Sequence, residues 1–205
     1  MNKYKKLALI IVFVMFFLWC LRYYQLNDGK LVSRKYPEKI YGMNEKVEYG
    51  EDIVYGKDDR STGYAVTLLD KRIVDCEDYL DEIGKTEKDF NIYLPERVME
   101  VTLNISNINN DDLTQGVEFF PIWLIGRDWH EVYSSEFTAY ANDIYEDDTN
   151  ASFGIQVKQG KSYEIKLIYP MRRLCFSSYT WKNIDEESMW LTITSRPNRK
   201  LICVQ

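Results

Sequence analysis

The sequence predicts a mainly β protein, an immunoglobulin-like antiparallel β-sandwich with one short helix, preceded by an N-terminal transmembrane helix. Two observations support this prediction. The first is a run of fifteen uncharged, almost wholly apolar residues from Leu7 to Leu21. The second is a series of about seven to nine short alternating segments, separated by turns, in the remainder. About 180 residues follow the apolar run, and this length suffices for one domain with a proper core.

Positive charges flank the apolar run, with Lys3, Lys5 and Lys6 before it and Arg22 after it. As a helix, the run spans roughly 22 Å, less than the roughly 30 Å of the bilayer hydrocarbon core. Flanking aromatic and basic residues extend it, so that Tyr4 to Leu26 makes a full span. Because lysines concentrate at the short N-terminus, we expect that end in the cytoplasm. The expected location is therefore the cell membrane, single-pass, with the C-terminal domain extracytoplasmic.

Other interpretations of the run are weaker. A signal peptidase requires small residues before the cut, and no A-x-A pattern follows the run, although cleavage at an atypical site stays an alternative. A lipoprotein requires a small residue before its modified cysteine, whereas Trp19 precedes Cys20. A buried core helix would show a polar face. The predicted organisation is a cytoplasmic stub and anchor over 1–26, a polar, turn-rich stalk over 27–40 and a β-sandwich domain over 41–205.

Charge limits the kind of partner. The chain has a net charge of −6, and residues 1–26 carry four basic and no acidic residues, which leaves −10 for the remainder. An acidic domain argues against nucleic acid and against anionic lipid or wall polymers as partners. It would suit a cationic protein or peptide.

Three cysteines lie outside the apolar run, namely Cys76, Cys175 and Cys203. They allow one disulfide with one thiol left over, and the sequence does not choose among the three pairings. Because the chain has no C-x-x-C and only one histidine, a Cys/His metal site is not expected.

Alternation of apolar and polar residues predicts most of the strands. Val98 to Ser106 alternates cleanly, and Tyr64 to Leu69 continues at Arg72 to Val74 after a charged break. The further predicted strands are Val117 to Ile125, a pair at His130 to Tyr133 and Phe137 to Ala141, Ile155 to Val157, Tyr163 to Pro170, Trp190 to Thr194 and Lys200 to Val204. Tyr41, Tyr49 and Tyr55 are expected in strands that close one edge of the sandwich.

One segment changes period. In Asp75 to Gly84, apolar residues recur at spacings of three and four, namely Cys76, Tyr79, Leu80 and Ile83. Asp75 can cap the N-terminus, acidic residues fill the first turn and Gly84 can end the helix. A short surface helix is predicted here.

These segments, in order, resemble a Gram-positive, chiefly Firmicutes, family of membrane-anchored proteins whose extracytoplasmic domain is of unknown function. The matching stretches are Tyr41 to Gly50, Gly63 to Lys85, Val98 to Asn107 and Met189 to Pro197. Arg196 before Pro197 and the ending at Leu201 to Cys203 depart from the family pattern. The resemblance implies a bacterial cell-surface protein, and it supplies no catalytic residue.

No catalytic site is predicted. His130 is the only candidate base for a serine nucleophile, and no G-x-S-x-G accompanies it, so its segment is better interpreted as a strand start or turn. The many carboxylates make coincidental pairs of the glycosidase type expected. Tryptophans that could stack on sugars are more typical of a sandwich core, namely Trp123, Trp129, Trp181 and Trp190.

Neither a metal nor a cofactor is predicted. The acidic loops at Asn109 to Asp112 and at Glu146 to Asn150 lack the D-x-D-x-D-G register of a calcium loop. We therefore expect a non-catalytic binding module of the bacterial envelope with an unknown protein or peptide partner. An enzyme acting on envelope polymers and a structural subunit of a membrane complex are the alternatives.

Overall fold

The computed structural model describes residues 12–22, 37–53, 61–112, 116–143 and 154–204. It divides into two compact units, Met1–Tyr36 and Pro37–Gln205. In the first unit, residues 12–22 form helix α1. None of the helices among the described residues is both long and apolar enough to cross a membrane. The ends of the predicted span, residues 4–11 and 23–26, lie outside the described residues, as do residues 27–36 of the predicted stalk.

The described part of the second unit is mainly β, as predicted. Its strands, in chain order, are β1 (Glu38–Tyr41), β2 (Lys46–Glu48), β3 (Tyr64–Asp75), β4 (Arg97–Asn107), β5 (Val117–Glu118), β6 (Leu124–Ile125), β7 (His130–Glu131), β8 (Gly154–Ile155), β9 (Ser162–Met171), β10 (Trp190–Thr194) and β11 (Arg199–Cys203). Its α-helices are α2 (Cys76–Glu82), α3 (Ser135–Ala141) and α4 (Ser178–Lys182). Since β1 begins at Glu38, the sheet starts inside the segment that was predicted as a stalk.

Two main sheets pack as a β-sandwich. One has five strands in the order β1-β11-β10-β6-β7, the other has four in the order β2-β3-β4-β9, and β5 and β8 form a separate pair. Buried side chains of both main sheets form one core, among them Val66, Leu103, Ile165, Leu191 and Ile202. This follows from the alternation in the sequence, since every second side chain of a strand points to the same face.

Three features of the strands differ from the prediction. The pair β1 and β11 is parallel, so the sandwich is not wholly antiparallel. The charged break at Asp70 does not divide β3, because a bulge between Leu68 and Asp70 absorbs it within one twelve-residue strand. The predicted strand Val117 to Ile125 is instead two short strands, because the chain turns between them, with Ile122 N donating to Phe119 O at 2.9 Å.

A second core covers the outer face of the four-stranded sheet. Helices α2 and α3 pack there against Val98 and Ile168, contributing Tyr79, Leu80 and Phe137. The prediction of α2 is confirmed, although the Asp75 side chain makes no capping hydrogen bond. Gly84, at a φ of +65°, adopts the left-handed conformation that commonly ends a helix.

The prediction of a single helix, and of a strand at Phe137 to Ala141, is wrong. That segment is α3, and its start is fixed by Ser134, whose hydroxyl accepts a hydrogen bond from Phe137 N. Helical spacing then brings Phe137 and Tyr140 against Phe90, at ring-centroid distances of 4.3 and 5.1 Å. Tertiary packing of these rings outweighs the β-propensity of the segment.

Candidate binding surface

An open groove of about 500 Å³ lies where β3 passes into α2. The start of α2 forms one wall, and the loop of Tyr93 to Glu96, which leads into β4, forms the other. Cys76 N donates to Glu96 O at 3.0 Å, and Asp75 pairs with Arg97 at the ends of the two strands. Adjacent antiparallel strands therefore bring the two walls together.

The groove is acidic. Its lining combines Cys76, Tyr93, Leu94 and Pro95 with the carboxylates of Asp75, Glu77, Asp78, Glu87 and Glu96. All five carboxylate residues are solvent-exposed. None of the described residues that line it is Lys, Arg or His. We call this feature, defined by these nine residues, the acidic groove.

Two of the five carboxylates contact neighbouring elements. The Asp75 Oδ1 atom accepts a hydrogen bond from Arg97 Nε at 3.1 Å, and Glu96 Oε2 accepts one from Arg173 N at 3.1 Å. These contacts hold the rim of the groove to β4 and to the turn that follows β9. The carboxylates of Glu77, Asp78 and Glu87 reach solvent, where they can accept hydrogen bonds from ammonium or guanidinium groups.

The groove offers no activated nucleophile. Burial and the neighbouring Glu77 carboxylate raise the pKa of the Cys76 thiol to about 11, and it is the thiolate that reacts. Across the described residues, no group of three or more His, Cys, Asp or Glu side chains is placed to hold a metal ion. What the arrangement can do is attract and bind positive charge.

The cysteines are free thiols in the described residues, with Cys76 buried, Cys175 exposed and Cys203 between the two. Partial desolvation and the Glu131 carboxylate raise the pKa of the Cys175 thiol as well, although its residue is exposed. None of the three disulfide pairings that the sequence allowed is present in this structure.

The residues that line the groove do not include His130 or a tryptophan. His130 begins β7, as a strand start was predicted, and its exposed ring stacks on Trp123 at a centroid distance of 5.4 Å. Trp129 is buried and packs on Phe176, which also contacts Trp181. These rings serve the core and its margin, in line with the structural interpretation of the sequence.

The loop at Asn109 to Asp112 is organised by hydrogen bonds to its own backbone. Asn107 Nδ2 donates to Asn110 O at 2.8 Å, and Asp112 N donates to Asn110 Oδ1 at 2.9 Å. The second acidic loop, Glu146 to Asn150, lies outside the described residues.

Sequence reasoning did not predict the acidic groove. The sequence predicts the acidic first turn of α2, but only as a source of helix stability. No periodic pattern in the sequence places the loop of Tyr93 to Glu96 opposite α2, because the 3-10 turn Glu87–Asp89 that precedes the loop is too short to produce one. Two groups of acidic residues separated by a short linker were the available signal.

Residues 38–200 match the family model described as "Domain of unknown function (DUF5028)". No match was found among curated proteins. A solved structure of an uncharacterised β-sandwich protein from Clostridium difficile 630 aligns with 86% of this chain and 100% of its own, at 11% sequence identity and a TM-score of 0.36.

Proposed function

The chain belongs to the DUF5028 family of domains of unknown function, and we propose that it binds a cationic partner in the acidic groove and catalyses no reaction. The observation that carries this proposal is the set of five exposed carboxylates around one concavity of about 500 Å³. Charge complementarity of this kind speeds encounter and selects against like-charged partners.

The charge of the whole chain supports the same role. Residues 27–205 carry a net charge of −10, obtained by removing the four basic residues of 1–26 from the total of −6. A surface of this sign repels nucleic acid and anionic lipid, and it attracts basic proteins and peptides at long range.

The proposal includes a location, a cell-membrane protein with one span and its C-terminal domain outside the cytoplasm. The support is the apolar run from Leu7 to Leu21 with three lysines before it. Protease added to intact cells is then expected to release the domain by cutting between Asn27 and Glu38. A freely secreted form that begins near Tyr23 would contradict the anchor.

Binding is tested by neutralising the groove. In the variant Glu77→Gln, Asp78→Asn, Glu87→Gln, three exposed carboxylates become amides of similar size. Each exposed ion pair contributes about 0.2–1 kcal/mol, so affinity for a lysine-rich peptide at low salt is expected to fall about tenfold. The measurement is isothermal titration of the full-length protein, with the salt concentration varied.

The matched control neutralises three exposed carboxylates outside the groove lining, as Glu51→Gln, Glu118→Gln, Asp143→Asn. It changes the net charge by the same amount and is expected to retain most of the affinity. Equal losses in both variants would show that only the overall charge matters, and salt-insensitive binding would contradict an ionic site.

A further inference from the structure

The three most exposed large apolar side chains in the described part of the second unit lie on two segments of the chain, the loop of Tyr93 to Glu96 and residues 174–179. Leu174 is 97% exposed, Tyr93 is 83% exposed and Tyr179 is 76% exposed. Single exposed apolar residues are common on protein surfaces, but several at one place indicate a contact site. We call Tyr93 and Leu174, whose segments are joined by hydrogen bonds, the apolar patch.

Hydrogen bonds fix the apolar patch to the rim of the acidic groove. Arg172 Nη2 donates to Tyr93 O at 3.1 Å, and Arg173 N donates to Glu96 Oε2 at 3.1 Å. Leu174 follows directly, in the 3-10 turn Arg173–Cys175. The loop that carries Tyr93 thus lines the groove and also binds the turn that presents Leu174 to solvent.

Helix α4 contacts the same framework through Trp181. Trp181, in that helix, lies under the Arg97 guanidinium, which is 5.4 Å from the ring centroid. The same guanidinium binds Asp75 in the groove. Apolar and acidic surfaces therefore adjoin on one continuous framework made of β4, α4 and the two loops.

We infer that the partner is a peptide segment in which apolar side chains alternate with Lys or Arg, so that the apolar side chains cover the patch while the basic ones enter the groove. This inference rests on the proposed function and specifies the partner's chemistry. Charge decides among the occupants: a second copy of this acidic surface and an anionic membrane would both meet like charge here, whereas a basic, apolar peptide is complementary on both counts.

The test compares three peptides of equal length, one of Lys and Leu, one of Lys and Ser and one of Glu and Leu. The full-length protein is held in zwitterionic lipid nanodiscs, and empty nanodiscs give the background. Because burial of a leucine side chain changes affinity by roughly tenfold or more, the Lys/Leu peptide is expected to bind at least about tenfold more tightly than the Lys/Ser peptide. The Glu/Leu peptide is expected not to bind.

The variant Leu174→Ser should remove most of that difference without changing affinity for the Lys/Ser peptide, because Leu174 lies outside the groove lining. Tyr93→Ser should also remove most of the difference, and because Tyr93 lines the groove as well, only the ratio of the two peptide affinities is compared for this variant. The matched control is Ile40→Ser, since Ile40 is 60% exposed on β1 and lies outside both surfaces. Thermal unfolding of each variant verifies that it is folded.

The outcomes separate the two proposals. If neither lysine peptide binds, the proposed function fails and this inference fails with it. If both bind equally, or if Leu174→Ser and Tyr93→Ser bind like the wild type, only the inference is overturned. Loss of self-association or of vesicle binding in these variants, with peptide affinity unchanged, would assign the patch to another occupant and would also overturn it.

Discussion

Glu100 is a carboxylate buried on the outer face of the four-stranded sheet, where it contacts three polar partners. Its oxygens accept hydrogen bonds from Arg72 Nε at 3.0 Å and from the Tyr79 hydroxyl at 3.0 Å, and Lys166 Nζ lies at 3.5 Å. Burial opposes ionisation of Glu100, but these hydrogen bonds and positive charges outweigh it and lower the pKa of the carboxyl. The arrangement holds α2, which carries one wall of the acidic groove, to the sheet.

Glu100→Gln keeps the size of the side chain and removes its charge, leaving Arg72 and Tyr79 with a weaker acceptor. The free energy of unfolding at pH 7 is expected to fall by about 2 kcal/mol, as for hydrogen bonds to charged groups. Urea denaturation measures it. Glu82→Gln is the control, because the Glu82 carboxylate meets Arg72 at the surface, where a pair contributes only about 0.5 kcal/mol.

The same variant has a pH signature. A carboxyl whose pKa is lower in the folded state contributes stability above its unfolded pKa and loses it as the pH falls through the folded value. The difference between wild type and Glu100→Gln should therefore be full at neutral pH and should narrow below about pH 4. A difference that stays constant from pH 7 to pH 3 would show that the charge of Glu100 does not stabilise the fold.

At the scale of elements, helix α3 closes the edge of strand β9. Asn142, just after α3, accepts from Lys166 N at 2.9 Å and donates to Lys166 O at 2.8 Å. The Thr138 hydroxyl accepts from Ile168 N at 3.1 Å, and Ser134 N donates to Ile168 O at 2.7 Å. An edge strand with unpaired backbone groups invites pairing with other chains, and here side chains and the backbone at the helix ends occupy that position.

The length of an element decides whether the sequence alone predicts it. The long strands β4 and β9 follow from alternation alone, because both are about ten residues long with one face in the core. Seven-residue α3 could not be told from a strand, since its apolar residues suit either period and the choice depends on Phe90 and on the edge of β9. Short elements are decided by their tertiary partners.

The burial of Glu100 also depends on a tertiary partner. Alternation correctly places Glu100 on the face opposite Met99 and Val101. From the sequence, that opposite face is interpreted as polar. Glu100 is 6% exposed because α2 covers that face. The sequence predicted the helix but not the surface on which it packs, and the same gap left the acidic groove unrecognised.

At the scale of the whole molecule, a buried ion pair connects the two sheets of the sandwich. Lys200 on β11 contacts Asp52 at 2.7 Å, and its ammonium also donates to the carbonyls of Glu48 and Tyr49 at the end of β2. Asn198 donates to Asp52 Oδ1 from its backbone N and its side chain. Burial opposes ionisation of Asp52, yet the hydrogen bonds from Lys200 and Asn198 lower the pKa of its carboxyl.

The sequence could not reveal this connection. Lys200 follows Arg199 at the start of the last strand, where a lysine ordinarily faces solvent, and its partner lies near the start of the domain. Lys200 is 7% exposed and Asp52 is 9% exposed. Each charge needs the other to remain buried, because a buried charge without a partner is strongly unfavourable.

Lys200→Met is therefore expected to destabilise the fold far more than an exposed lysine would. The variant removes the positive charge that faces Asp52 and the ammonium that donates to the two carbonyls, and removal of one partner from a buried pair costs about 3–5 kcal/mol. Urea denaturation at pH 7 measures the loss, and Lys39→Met on the exposed strand β1 should change stability by less than about 0.5 kcal/mol.

Because protonation relieves the unpaired Asp52, the loss should shrink as the pH falls, and Asp52→Asn combined with Lys200→Met should cost less than the two single changes added together. Additive costs, or a loss below about 1 kcal/mol at pH 7, would mean that the two sheets are held together by their apolar core alone.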